Sequence, residues 1–325
     1  MRFEGLQPEA VPPGSKETIY LDVASLPNGV TLRLAVVVAR GGEAGPTLLV
    51  LGGVHGDEYE GPHAVRTVIQ ALDAARLRGT FIGVPVTNAP AFAAGSRVSP
   101  LDDLNLARVF PGSSSGTPTE RIAHLVGNHL IGRCDFLIDL HSSGTHASMP
   151  TLAGYHAHDS DAGRQSQAAA FAFGAPVVWG HPTVAPGRTL SVATERSIPW
   201  LYTECPGGGW LHQDTAALYA RGVTNTMRFL KMLPGDPESA PPQYHLYGSG
   251  RIEDALTVST SGFLLPAVEL LDQVKRGDLL GQVLGLAGEV QEELRAEADG
   301  VLIFMRATPS ISSGDLAFMV TGEAE

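Results

Sequence analysis

Alternation of short apolar runs with amphipathic stretches dominates the first two thirds of the chain. Thr31 to Val38 reads as a strand after an Asn28-Gly29 turn, and Thr47 to Leu51 reads as a second strand, buried on both faces. Apolar residues at Val65, Val68, Ile69 and Leu72 recur with helical spacing, which predicts a helix from about Pro62 to Leu77. A strand at 80–86 follows, then a helix over 118–131 with Thr119 as N-cap. Further strands are predicted at 135–138, 176–179 and 199–203, and a helix at about 214–230. Strand–helix alternation of this kind implies an α/β fold, a mixed sheet flanked by helices.

The pattern breaks at Pro234-Gly235-Asp236-Pro237, where a proline-rich stretch has no apolar face. Beyond it come short strand signals at 255–259, 262–266, 279–284, 300–305 and 315–320. The expected organisation is a catalytic domain over 1–233, a linker over 234–242 and a small all-β domain over 243–325. Within the last, Val274 to Gly281 and Ala298 to Val301 resemble a biotinyl/lipoyl-type hairpin. The tip expected at Glu289 to Glu293 has no lysine to carry such a group, so the β domain is read as a pocket wall or homo-oligomer contact.

Charge and composition narrow the function classes. The 325 residues carry a net charge of −12, which argues against a nucleic-acid partner. No apolar run approaches the roughly 20 residues that span a bilayer. The start, Met1 to Pro8, lacks the apolar segment of a secretory leader, so the expected location is cytoplasmic. Cys134 and Cys205 lack metal-ligand spacing and read as small buried apolar residues.

The chemistry lies at two strand ends. His55-Gly56-Asp57-Glu58 follows one strand and Asp139-Leu140-His141 closes another, where open α/β sheets place ligands. Two imidazoles and a carboxylate suit Zn²⁺ and leave a fourth position open, the mark of a catalytic site. Gly56 is expected to let the backbone turn sharply between His55 and Glu58. Asp57 and Asp139 are candidates to hold the far ring nitrogens of the two histidines, Asp139 reaching either His141 or His55.

Gly52 to Glu58, Asn88-Ala89-Pro90-Ala91-Phe92 with Arg97, Arg108 to Gly112, Asp139-Leu140-His141 and Thr203-Glu204, in that order, resemble the succinylglutamate desuccinylase/aspartoacylase family, which is related to the zinc carboxypeptidases. The resemblance covers the catalytic three quarters of the chain. It implies one Zn²⁺ on His55, Glu58 and His141, Glu204 as general base, Arg97 polarising the carbonyl and Arg108 gripping a substrate carboxylate. The implied reaction is deacylation of a small N-acyl amino acid. The rival readings are a metallocarboxypeptidase and a non-catalytic zinc-binding homologue. One position departs from the family: Ala107 stands where Asn is common before the arginine. Asn105, two residues earlier, faces the same way if the segment is extended, and is the candidate replacement in substrate binding. With that asparagine gone, neither succinylglutamate nor acetylaspartate is assigned as substrate.

Overall fold

The computed structural model describes residues 7–324, so most of the segment read for a leader lies outside them. In chain order the elements are β1 (Ser15–Ser25), β2 (Thr31–Arg40), β3 (Glu43–Gly52), α1 (Glu60–Ala71), β4 (Arg78–Val84), α2 (Ala89–Ala94), α3 (Pro118–Leu125) and β5 (Phe136–Leu140). There follow β6 (Ala147–Ser148), β7 (Leu152–His156), α4 (Asp161–Phe173), β8 (Val177–His181), α5 (Thr189–Glu195), β9 (Trp200–Glu204), α6 (Gln213–Phe229) and β10 (Tyr244–Tyr247). The remainder is β11 (Leu256–Thr257), β12 (Gly262–Pro266), β13 (Gln273–Val274), β14 (Leu279–Leu284), β15 (Val290–Arg295), β16 (Gly300–Arg306), β17 (Ser310–Ile311) and β18 (Leu316–Glu323).

One large mixed sheet runs β1-β2-β4-β3-β5-β9-β7-β8-β10-β18-β16-β13. Its centre is parallel: β3 pairs with β4 on one side and β5 on the other, and β5 pairs with β9. Alternation along β3 sorts the core into two layers. Leu48 and Val50 pack with Val65, Phe173 and Tyr219 from α1, α4 and α6. Leu49 and Leu51 pack on the opposite face with Ile122 and Val192 from α3 and α5. The chain leaves β3 toward β4 and later returns to β3's other side as β5, so the crevice beyond the carboxyl ends of β3 and β5 is a topological switch point.

After α6, β10 joins the same sheet beside β8, and β18 pairs with β10. The sheet therefore continues into the C-terminal strands. A second sheet, β15-β14-β12-β17, lies apart from it. The β14–β15 turn is 285–289, because Val290 to Glu293 already belong to β15; it also lacks lysine.

Several boundaries differ from the sequence reading. Helix α1 stops at Ala71, and the Asp73 carboxylate then accepts from the Ala75 N–H to cap a separate 3₁₀ turn. Helix α3 is capped by Thr117, whose side chain and that of Glu120 form a reciprocal capping box. Thr119 instead donates to the Asp102 carboxylate at 2.7 Å. Among the described residues no helix is long and apolar enough to cross a membrane. Both cysteines are buried and unpaired.

Candidate metal centre and active site

The central strands deliver the functional side chains at their carboxyl ends. His55 and Glu58 sit between β3 and α1, His141 directly follows β5, and Glu204 is the last residue of β9. Gly53 takes the left-handed turn out of β3, at φ 62°. Gly56 has a different function from the one its position suggested. A β-carbon there would lie 2.0 Å from the Ala91 carbonyl carbon, so glycine is needed for close approach to α2 rather than for a positive φ.

Glu58 is the hub. Its Oε1 lies 2.7 Å from His55 Nδ1 and accepts from Arg97 Nη1 at 3.2 Å. Its Oε2 lies 2.9 Å from His141 Nδ1 and accepts from the Ser142 N–H at 3.1 Å. The far nitrogens are held as well. His55 Nε2 lies 3.0 Å from Asn105 Oδ1, and His141 Nε2 lies 3.1 Å from Asp139 Oδ2. The Asn105 amide is fixed in that orientation because Oδ1 also accepts the Ala107 N–H at 2.9 Å.

A proton count follows. A neutral imidazole carries one N–H, yet each of these rings is flanked by two acceptors. A cation held by His55, Glu58 and His141 would resolve both rings at once, leaving Nε2–H to donate to Asn105 and to Asp139. The ligand atoms of His55, Glu58 and His141 lie within 4.8 Å of one another, so the donor set fits a single ion.

The electrostatics point the same way. Burial works against a charged Glu58, but His55 and His141 hold its carboxyl well below the usual range. For His141, burial is outweighed by the Asp139 and Glu58 charges, which raise its pKa well above that of free histidine. His55, buried with less compensation, is pushed down. The Glu58 and Asp139 carboxylates thus favour positive charge at His141.

Glu204 faces the same cavity. Burial, reinforced by the negative charge of Glu58, pushes its pKa up to about 8. Its Oε2 is buried with no hydrogen-bond partner. An orphaned carboxylate oxygen in a cleft, with a pKa near neutrality, suits proton transfer.

Other expected residues land differently. Asp139 reaches His141, not His55, and also accepts from the Thr189 hydroxyl. Asp57 holds neither imidazole. It accepts from the Thr145 N–H at 2.9 Å and its hydroxyl at 3.0 Å, tying down the loop after His141. Asn105 caps the 3₁₀ turn Leu106–Arg108, so the segment is not extended, and its carbonyl turns to His55 rather than into the cavity. Arg97 lines the cavity. Arg108 does too, but its Nη2 donates to Glu253 at 2.8 Å, and Arg188 meets the same carboxylate at 3.4 Å. Arg188, Glu253, His181 and Tyr202 were not singled out from sequence; they come from segments far apart in the chain. Ser249 to Ile252, Phe304 and Met319 complete the wall, so the C-terminal part of the chain covers the cavity.

Fold and site together define an α/β protein with a buried His-Glu-His centre at the switch point of its sheet. Residues 44–230 match the family model of the succinylglutamate desuccinylase/aspartoacylase catalytic domain, and the chain belongs to that family. A similar curated protein is the N-alpha-acetyl-L-2,4-diaminobutyric acid deacetylase of Halomonas elongata. It is 34% identical over 299 residues, covering 90% of this chain and 86% of the relative. The product-bound ectoine utilization protein EutE (DoeB) from Ruegeria pomeroyi superposes with a TM-score of 0.88 at 30% identity, over 96% of this chain and 97% of that one. A succinylglutamate desuccinylase from Silicibacter sp. matches with a TM-score of 0.88 at 29% identity, over 95% of both chains.

Proposed function

We propose that this protein is a zinc-dependent hydrolase that removes the acyl group from a small N-acyl amino acid, N-acetylated diamino acids being the favoured class. The observation that carries the reading is the pair of imidazoles, each flanked by two acceptors around the one Glu58 carboxylate. His55, Glu58 and His141 would hold the ion. Zn²⁺ in such a site supplies Lewis-acid polarisation of a carbonyl and lowers the pKa of water.

The chain's own groups supply the rest. Glu204 takes the proton of the attacking water at its free Oε2 and passes it to the leaving nitrogen. Arg97, half exposed toward the cavity, donates to the carbonyl oxygen as negative charge develops on it. Arg108 and Arg188, pinned on Glu253, present further N–H groups for the substrate carboxylate. The wall formed by the C-terminal segments favours a small substrate over a peptide, which needs an open groove. The names of the Halomonas and Ruegeria relatives favour the diamino acid class.

The test is amine release from N-acetyl, N-succinyl and N-formyl amino acids and blocked dipeptides, with zinc-loaded protein and a chelated control. Chelator-sensitive release from N-acetyl amino acids is expected. In Glu204→Gln, kcat should fall about 10²- to 10⁴-fold with zinc still bound. Release from dipeptides alone, or silence across the panel with zinc stoichiometrically bound, overturns the reading.

A further inference from the structure

Tyr202 stands two residues before Glu204 on β9, so the two side chains share the face toward the cavity. The tyrosine ring lies flat across Gly154 of β7. A β-carbon at Gly154 would come within 2.0 Å of Tyr202 Cε1, so only glycine leaves this path open. The phenol thereby reaches the end of β8, where its oxygen is 3.0 Å from His181 Nε2.

The proton arrangement at His181 is determined by its other contact. Nδ1 lies 3.0 Å from the Gly248 carbonyl oxygen, which can only accept, so Nδ1 carries the hydrogen. The ring is 4% exposed, and burial keeps it neutral, with its pKa pushed down to about 4. Nε2 is then bare and must accept. The single phenolic proton of Tyr202 therefore points at His181. The imidazole cannot readily turn to reverse this, since Gly250 packs on its Nδ1 edge and Trp179 meets it edge to face at 4.6 Å. Among the described residues Tyr202 Oη has no other hydrogen-bond partner. Its oxygen thus offers the cavity lone pairs and no donor.

From this geometry we infer that Tyr202 is a specificity-determining acceptor for an N–H donor on the substrate side chain, with His181 as the positioning residue that fixes its polarity. The inference rests on the deacylase reading for its substrate class. An ammonium or amide N–H satisfies the oxygen. A methyl group leaves it unpaired, and a carboxylate opposes it with a second acceptor.

The test uses three N-acetyl amino acids on the zinc-loaded protein. N-α-acetyl-L-2,4-diaminobutyrate carries the donor, N-acetyl-L-norvaline is its apolar isostere, and N-acetyl-L-aspartate carries an acceptor. The native protein should prefer the diamino compound to the isostere by about tenfold or more in kcat/KM. Tyr202→Phe should erase that ratio, chiefly by raising KM for the diamino compound. His181→Phe, which frees the phenolic proton, should lower the diamino compound and raise the aspartate compound. A ratio is insensitive to a general loss of folded protein. Calorimetric binding of the three free amino acids, run in parallel, needs no turnover. A preference seen in binding and erased by Tyr202→Phe, without turnover of any acetyl compound, would sustain the inference while refuting the deacylase reading. A native protein with no such preference, or a Tyr202→Phe variant that keeps it, overturns the inference.

Discussion

Glu204 couples the catalytic proposal to a measurable stability. Its carboxyl is pushed from 4.5 to about 8 in the folded protein, burial being the larger cause and the Glu58 charge the next. A group that holds its proton more tightly when folded supports the native state at low pH and loses that support as pH rises. Between these two values the unfolded chain releases a proton that the folded chain keeps. Stability should therefore fall at up to about 1.4 kcal/mol per pH unit, over a window of roughly 3.5 units. The integrated loss is on the order of 3 to 5 kcal/mol by pH 9 or so. Glu204→Gln removes the titration and keeps the shape, so the variant should match the native protein near pH 4.5 and exceed it progressively above. The assay is urea denaturation of both proteins, stripped of metal by chelator, at steps of pH across that window. A constant difference between the two curves would show that Glu204 is ionised throughout and that burial does not control it. Loading zinc should shrink the gap, because a cation beside the carboxylate favours its charged form.

Three further outcomes follow from the same contacts. His55→Ala should abolish both stoichiometric zinc binding and activity, as read by metal analysis on the gel-filtered protein; retained zinc would contradict the ligand assignment. Gly56→Ala should destabilise by about 1 to 3 kcal/mol or more in thermal or urea unfolding, because the new β-carbon collides with the backbone of α2; an unchanged midpoint would refute the close-approach argument. Buried His181, with its pKa pushed down to about 4 from 6.5, contributes stability that is present above 6.5 and lost as pH falls toward 4. His181→Asn should flatten that acid limb by roughly 3 kcal/mol, and identical acid limbs would show that the ring is not desolvated.

The strands that matter for chemistry were readable because parallel central strands are continuous apolar runs, with polar functional residues just after β3 and β5 and at the end of β9. Elements with weaker signals were missed. Helix α4 faces the core largely with alanines, Ala169 and Ala170 beside Phe173, which give little hydrophobic contrast. Helix α5 is only seven residues, too short for a period to show. Strand β1 pairs along its length with β2 but buries few residues, and it was not singled out. The assignment of Asp57 to an imidazole failed for one reason. Sequence proximity to a histidine says which side chains are near, not which way a tight turn aims them.

By itself the sequence determined which residue types stand at the ends of which strands, because those patterns are local: an apolar run, a glycine turn and a ligand within a few positions. The tertiary structure alone decided the proton accounting. Whether Asn105 faces His55, whether Asp139 holds His141, and whether Tyr202 gives its hydrogen to His181 depend on contacts spanning from 2 to 67 residues of chain. Those contacts are set by strand order and by glycines at close approaches, where the absence of a side chain matters only once the neighbouring element is known.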